Sequence, residues 1–164
     1  RCMGCGWNDT DPATLRHVHG VEVVNGDADD LSGWRFWASR LNEGARLAAV
    51  AGSDDHTPDD DRDRAVGRPA TVVSAEDRTE PAIVDALRAG RTYVRVQGAT
   101  GPALDLSAER EGHRVGLGGE IAPGAVTLRV HISGADAGRL DWVLNGAVLA
   151  SVGIPVSGEL TRPC

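Results

Sequence analysis

Lysine is absent from this 164-residue chain: all 17 basic side chains are arginine, and 24 acidic ones outweigh them to a formal charge of −7. Proteins that track phosphates or lie on membrane surfaces present a basic patch, so this balance disfavours both classes. Nowhere does an apolar run approach the ~18 residues of a membrane span, and no basic, apolar, small-residue leader opens the chain. A soluble protein, cytoplasmic or exported, is therefore expected. Aromatic residues are scarce, at 4%. Cysteines number three, at positions 2, 5 and 164, which excludes an even disulfide framework. Cys2-Met-Gly-Cys5 has the spacing of half a zinc site or a redox pair, but two ligands cannot close a tetrahedral structural site, so free thiols are expected. The length is too short for a large barrel with insertions, and 41% apolar with 25% charged residues is a globular composition. Arg1 stands where an initiator Met would, so the chain reads as a carboxyl-terminal piece of a longer polypeptide.

What is present falls into two halves. Gly20 to Gly26 is a β-branched run closed by a turn dipeptide, which predicts a buried strand ending near Asn25. From Asp30 to Gly44, Trp34, Trp37 and Leu41 recur at helical spacing, with Asp30 or Ser32 as cap and Gly44 as stop. Leu47 to Ala51 is a second buried strand. Strand, helix, strand implies parallel pairing by a right-handed crossover, with Asn25 and Asp54 at the carboxyl edge where such sheets collect their chemistry. Residues 57–69 read as an exposed loop and Ala70–Ser74 as a strand. Thr79 as cap, Pro81 in the first turn and Gly90 as stop frame a helix over 80–89, and Arg91–Gln97 reads as a strand.

Gly98 to Pro102 is hinge-like, and a boundary is placed there: 1–100 as an α/β unit, 101–164 as an all-β one. Beyond it the apolar period becomes two: Val126, Leu128, Val130 and Ile132 alternate with polar residues, and Leu104 to Ala108 is a further strand. Asn145-Gly146 is the dipeptide of a type I′ hairpin between Leu140–Leu144 and Ala147–Ser151. These strands predict part of a sandwich, too short for seven strands, with Val156–Cys164 as one more strand or a loose tail. Trp142 is expected in its core.

The chemistry concentrates at Gly52-Ser-Asp-Asp-His56, where an apolar strand opens into a loop. Asp54 and His56, at i and i+2, are expected to point the same way, with Asp55 facing elsewhere. Carboxylate oxygen with imidazole nitrogen suits zinc, iron or manganese better than calcium, and a metal so held lowers the pKa of bound water. Glu22 and Asn25, on the neighbouring strand edge, either line this pocket behind the ligands or, for Glu22, serve a structural hydrogen bond. The aspartates at 59, 60, 61 and 63 lack calcium-loop order and read as solvated.

The strand followed by Gly52-Ser-Asp-Asp-His56 resembles the closing metal motif of the polymerase-and-histidinol-phosphatase (PHP) phosphoesterases. Glu22-Val-Val-Asn25-Gly, the Trp-bearing helix, Gly67-Arg-Pro-Ala-Thr71 and Ala82 to Val94 extend the likeness to the carbaryl-hydrolase-like branch. The resemblance implies an α/β fold, the carboxyl-terminal part of a PHP-type (β/α)7 barrel, followed by a small, incomplete immunoglobulin-like sandwich. It also implies a divalent metal held by Asp54 and His56, and a small-molecule ester substrate. The family's opening His-x-His with Ser-Asp-Gly is missing, and it is not carried onto His17-Val-His19, which stands too close to Glu22 and lacks the sequel. Those two, with His113 and His131, are expected to be ordinary surface histidines.

Two functions follow. The first is a fragment of a metal-dependent hydrolase of phosphate esters, esters or carbamates, inactive alone. The second is a non-catalytic sandwich binding module on an α/β scaffold, with Trp142 as a sugar platform.

Overall fold

The computed structural model describes residues 11–26, 32–56, 66–135, 138–154 and 158–163. One helical turn, α1 (Pro12–Leu15), precedes the strand β1 (Gly20–Asn25), the helix α2 (Ser32–Asn42) and the strand β2 (Ala48–Gly52). As the crossover rule requires, β1 and β2 are parallel, with Glu22 opposite Val50 and Asn25 opposite Gly52. Trp34, Trp37 and Leu41 are half-buried, and the Trp37 indole N–H donates to the Leu47 carbonyl at 2.8 Å. Gly44 terminates α2 at φ +89° as its position predicts. The alternative cap Asp30 lies outside the described residues, as do the three cysteines and the aspartates at 59, 60, 61 and 63.

Next come β3 (Ala70–Val73), α3 (Glu80–Arg88) and β4 (Thr92–Arg95), with β3 and β4 paired antiparallel. Gly90 stops α3 at φ +70°. The predicted Thr79 cap is corrected: its hydroxyl makes no cap bond and instead donates to the Asp77 carboxylate, which also accepts the Thr79 N–H at 2.8 Å.

Even-numbered residues of β2 bond to β1, as Ala48 N–H to the His19 carbonyl shows, so odd-numbered ones turn the other way. No strand pairs with that edge among the described residues. Two threonines of the hairpin serve it instead. Thr71 Oγ1 accepts the Ala51 N–H at 2.8 Å and donates to the Ala51 carbonyl at 3.1 Å, while the buried Thr92 hydroxyl donates to the Ala49 carbonyl at 2.9 Å. The β1–β2 and β3–β4 pairs therefore form no closed barrel among the described residues.

The Gly98–Pro102 stretch, expected as a hinge, is a tight 3-10 turn over Gly98–Thr100, with Gly98 and Gly101 buried and the Arg95 guanidinium donating to the Ala99 and Gly101 carbonyls. Gly98 lies at φ +61°, and a Cβ there would collide with the Gly67 carbonyl.

Beyond it, β5 (Ala103–Arg110), β6 (His113–Gly116), β7 (Thr127–Ser133) and β10 (Gly158–Pro163) form a sheet in the order β10-β7-β5-β6. The ribbon of β8 (Gly138–Leu144) and β9 (Ala147–Ile154) packs on it. Val130, Ile132, Ala135 and Trp142 are the buried centre, flanked by Leu104, Leu128, Leu140, Ala150 and Ile154. At 8% exposure Trp142 is core, with no face free to stack on a sugar. Asn145 at φ +52° and Gly146 at +81° make the predicted type I′ turn. The tail is the strand β10, and β6 is a strand that the sequence pattern did not reveal. No helix of the described residues is long and apolar enough to cross a membrane.

The sandwich rests on the α/β unit. Asn42 Nδ2 donates to the Asn145 carbonyl at 3.0 Å, and Arg46 donates to the Gly118 carbonyl at 3.2 Å while pairing with Glu120 at 2.7 Å.

Two outcomes are expected. Thr71→Val keeps the shape but strands the Ala51 N–H and C=O, so urea unfolding should show a loss of about 1–3 kcal/mol that Thr71→Ser largely avoids. On the sandwich, a hydrogen bond from Arg114, with Arg129 nearby, holds the Glu109 carboxyl below its ordinary value. A carboxyl depressed in the folded state adds stability above its unfolded pKa and loses it as pH falls through the folded one. Thermal midpoints of Glu109→Gln should therefore decline less steeply than the parent's as the pH drops through the carboxylate range.

Candidate metal centre

The motif begins where β2 must end. Gly52 sits beside Glu22, whose Oε1 would lie 3.0 Å from any Cβ at that position, so the neighbouring carboxylate itself favours glycine. Glu22 Oε2 accepts a 2.9 Å hydrogen bond from Asn25 Nδ2, which fixes the carboxylate over the strand end. Both side chains are exposed at the carboxyl edge of the parallel pair. The two sequence readings of Glu22 thus coincide: it is hydrogen-bonded, and it stands at the edge from which the motif departs.

Period-two reasoning places Asp54 and His56 on one face of an extended chain. The structure brings them together differently. Asp54 leaves the strand in a left-handed conformation, φ +52°, one that aspartate tolerates better than most residues but at a cost that structures retain mainly at functional positions. This turns the chain so that His56 Nδ1 comes within 2.8 Å of the Asp54 main-chain carbonyl and 3.9 Å of its carboxylate. A carbonyl only accepts, so Nδ1 carries the proton and, in the neutral ring, Nε2 keeps its lone pair. Such a backbone bond is how metal-binding histidines are commonly oriented. The His56 side chain is 80% exposed and the Asp54 side chain 47%, so both donors are open to a cation from solvent. Asp55, half-buried with its N–H near Ser53 Oγ at 3.4 Å, is turned elsewhere as expected.

Among the described residues no third histidine, cysteine or carboxylate joins the pair to make a cluster of three. His17 and His19 are exposed at the amino end of β1, and His19 is roughly 20 Å of strand from Asn25 at ~3.3 Å per residue. The opening motif is therefore not supplied by them. Sequence reasoning missed Thr71 and Thr92, whose hydroxyls hold the strand from which the motif emerges; nothing in a threonine's neighbours along the chain announces an edge-capping role.

A family model described as PHP-associated matches residues 35–92, a span that contains Asp54 and His56 but not Glu22, Asn25 or the sandwich. The match associates the chain with the PHP family. Neither the curated proteins nor the solved structures that were compared give a match.

Gly52→Ala should displace the Glu22 carboxylate and break its bond with Asn25. The Asn25 side-chain amide resonances should shift in an NMR spectrum while global stability changes by no more than about 1 kcal/mol, as befits an exposed pair.

Proposed function

We propose that this chain is part of a metal-dependent hydrolase of the PHP type, acting on a small-molecule phosphate ester, ester or carbamate. The observation that carries the reading is the preset pair itself: an Asp54 carboxylate and a His56 imidazole, oriented by a backbone bond on a left-handed turn at a strand's carboxyl end, inside the PHP-associated segment. The donor set suits zinc, manganese or iron, borderline cations that accept mixed oxygen and nitrogen ligands. A bound cation of this kind supplies Lewis acidity and a water of lowered pKa. Asp54 contributes charge and an oxygen donor; His56 contributes Nε2. Glu22, steadied by Asn25, adds negative charge behind the site and accepts a hydrogen bond from groups arriving at the edge. Two donors alone hold a cation loosely, so the activity belongs to the parent protein, in which further ligands join these, and residues 1–164 alone do not turn over. The barrel expected from the resemblance and the immunoglobulin-like character of the sandwich belong to this same reading.

The buried position of Trp142 weighs against the sugar-binding alternative, since its stacking platform is used up by the core.

Elemental analysis of the full-length protein should show metal lost with Asp54→Ala and with His56→Ala, while Glu22→Gln keeps metal and loses only part of the activity, roughly 10- to 100-fold. Undiminished metal in both ligand variants would overturn the assignment. Metal-dependent hydrolysis of an aryl phosphodiester by residues 1–164 alone, abolished by Asp54→Ala, would overturn the statement that this stretch is inactive by itself.

A further inference from the structure

The largest feature that the metal pair leaves unexplained is a groove of about 490 Å³ between the β3–β4 hairpin and the β5–β6 edge of the sandwich. Val73 pairs with Thr92, whose hydroxyl meets Ala49, so Ser74 and Arg91 lie a step further towards the amino end of β2. The groove is thus at the opposite end of that strand from Asp54 and His56. Its size falls within the range of small-molecule sites, and its position between two packed units is a common one for them.

We propose that this groove binds a small zwitterion with an apolar body, an apolar amino acid or a dipeptide with free termini. Val72, Tyr93, Leu104 and Val115 supply the apolar lining. Tyr93 is fixed there, its hydroxyl accepting the Leu104 N–H at 3.4 Å across the two units. Two opposite charges face the same space. Arg91 is anchored by its Nε, which donates to the Ser74 carbonyl at 3.3 Å, and its terminal nitrogens have no partner among the described residues. Asp105 makes no hydrogen bond or ion pair among the described residues, and the two side chains do not pair with each other. A carboxylate against Arg91 and an ammonium against Asp105 satisfies both, with the charge-assisted bonds that single out such ligands. An anion or a neutral sugar would leave at least one charge unmatched.

Gly116 is the independent observation. It lies within β6 without a positive φ, and the nearest atom to a Cβ there would be the Leu106 carbonyl oxygen at 4.0 Å. Neither backbone conformation nor crowding calls for glycine, which weakens a strand interior. Gly118 differs: it sits at φ +71° and a Cβ there would strike the Ala89 carbonyl, so its glycine is structural. What the missing side chain of Gly116 visibly does is keep one wall of the groove open.

The test is calorimetric titration of the 164-residue chain with leucine and with the dipeptide Leu-Leu, using N-acetyl-leucinamide as the uncharged control. Binding is expected for at least one zwitterion and not for the control. Arg91→Gln and Asp105→Asn should each weaken it by about tenfold or more, the size of one lost charge-assisted contact. Gly116→Val should abolish it with an unchanged circular dichroism spectrum and thermal midpoint. No heat from either zwitterion overturns the proposal, as does undiminished binding in Gly116→Val. Should that variant fold poorly, undiminished binding in both Arg91→Gln and Asp105→Asn overturns it equally. Metal content plays no part in these readouts, so the outcome is separate from that for Asp54 and His56.

Discussion

A backbone edge that no strand pairs has to be satisfied some other way, and β2 meets this with two hydroxyls. Thr71 and Thr92 occupy the outward carbonyls of Ala49 and Ala51 and the Ala51 N–H, at distances of 2.8 to 3.1 Å. A buried peptide group without a partner costs about as much as a strand bond is worth, so these contacts decide where the hairpin can dock. Once it is docked, β2 is held on both sides. Its last residue, Gly52, is then fixed beside Glu22, and the turn that follows starts from a defined point.

That chain of dependence explains which parts were legible beforehand. The Trp34–Trp37–Leu41 spacing, the Thr79–Pro81–Gly90 frame of α3 and the Asn145-Gly146 turn are local signals, each set by residues within a few positions of one another, and each element formed as its pattern predicts. The hydroxyl caps join positions 20 and 43 residues apart in the chain, and no local pattern encodes them. β6 was hidden because His113 to Gly116 has neither alternation nor β-branched richness; its partner β5 makes it a strand.

The candidate site was legible in composition but not in geometry. Asp54 and His56 are visible as donor types at a strand end, yet the reason assumed for their meeting, extended alternation, is not the one at work. A left-handed aspartate folds the chain back, and the backbone carbonyl rather than the strand orients the imidazole. Thr79 shows the same limit on a small scale: the right residue stood at the right place, but the nearby Asp77 carboxylate outcompeted the helix N–H groups for its hydroxyl.

The contacts of Asn42 with Asn145 and of Arg46 with Gly118 and Glu120 place the sandwich against the chain that leaves α2 and enters β2. Asp54 and His56 leave the other end of that strand. Substitutions in the sandwich can accordingly accumulate without altering the donors, and changes around the motif need not be matched by changes in the sandwich. Two halves joined in this way are free to evolve at different rates, the one answering to reaction chemistry and the other to whatever the cell brings alongside.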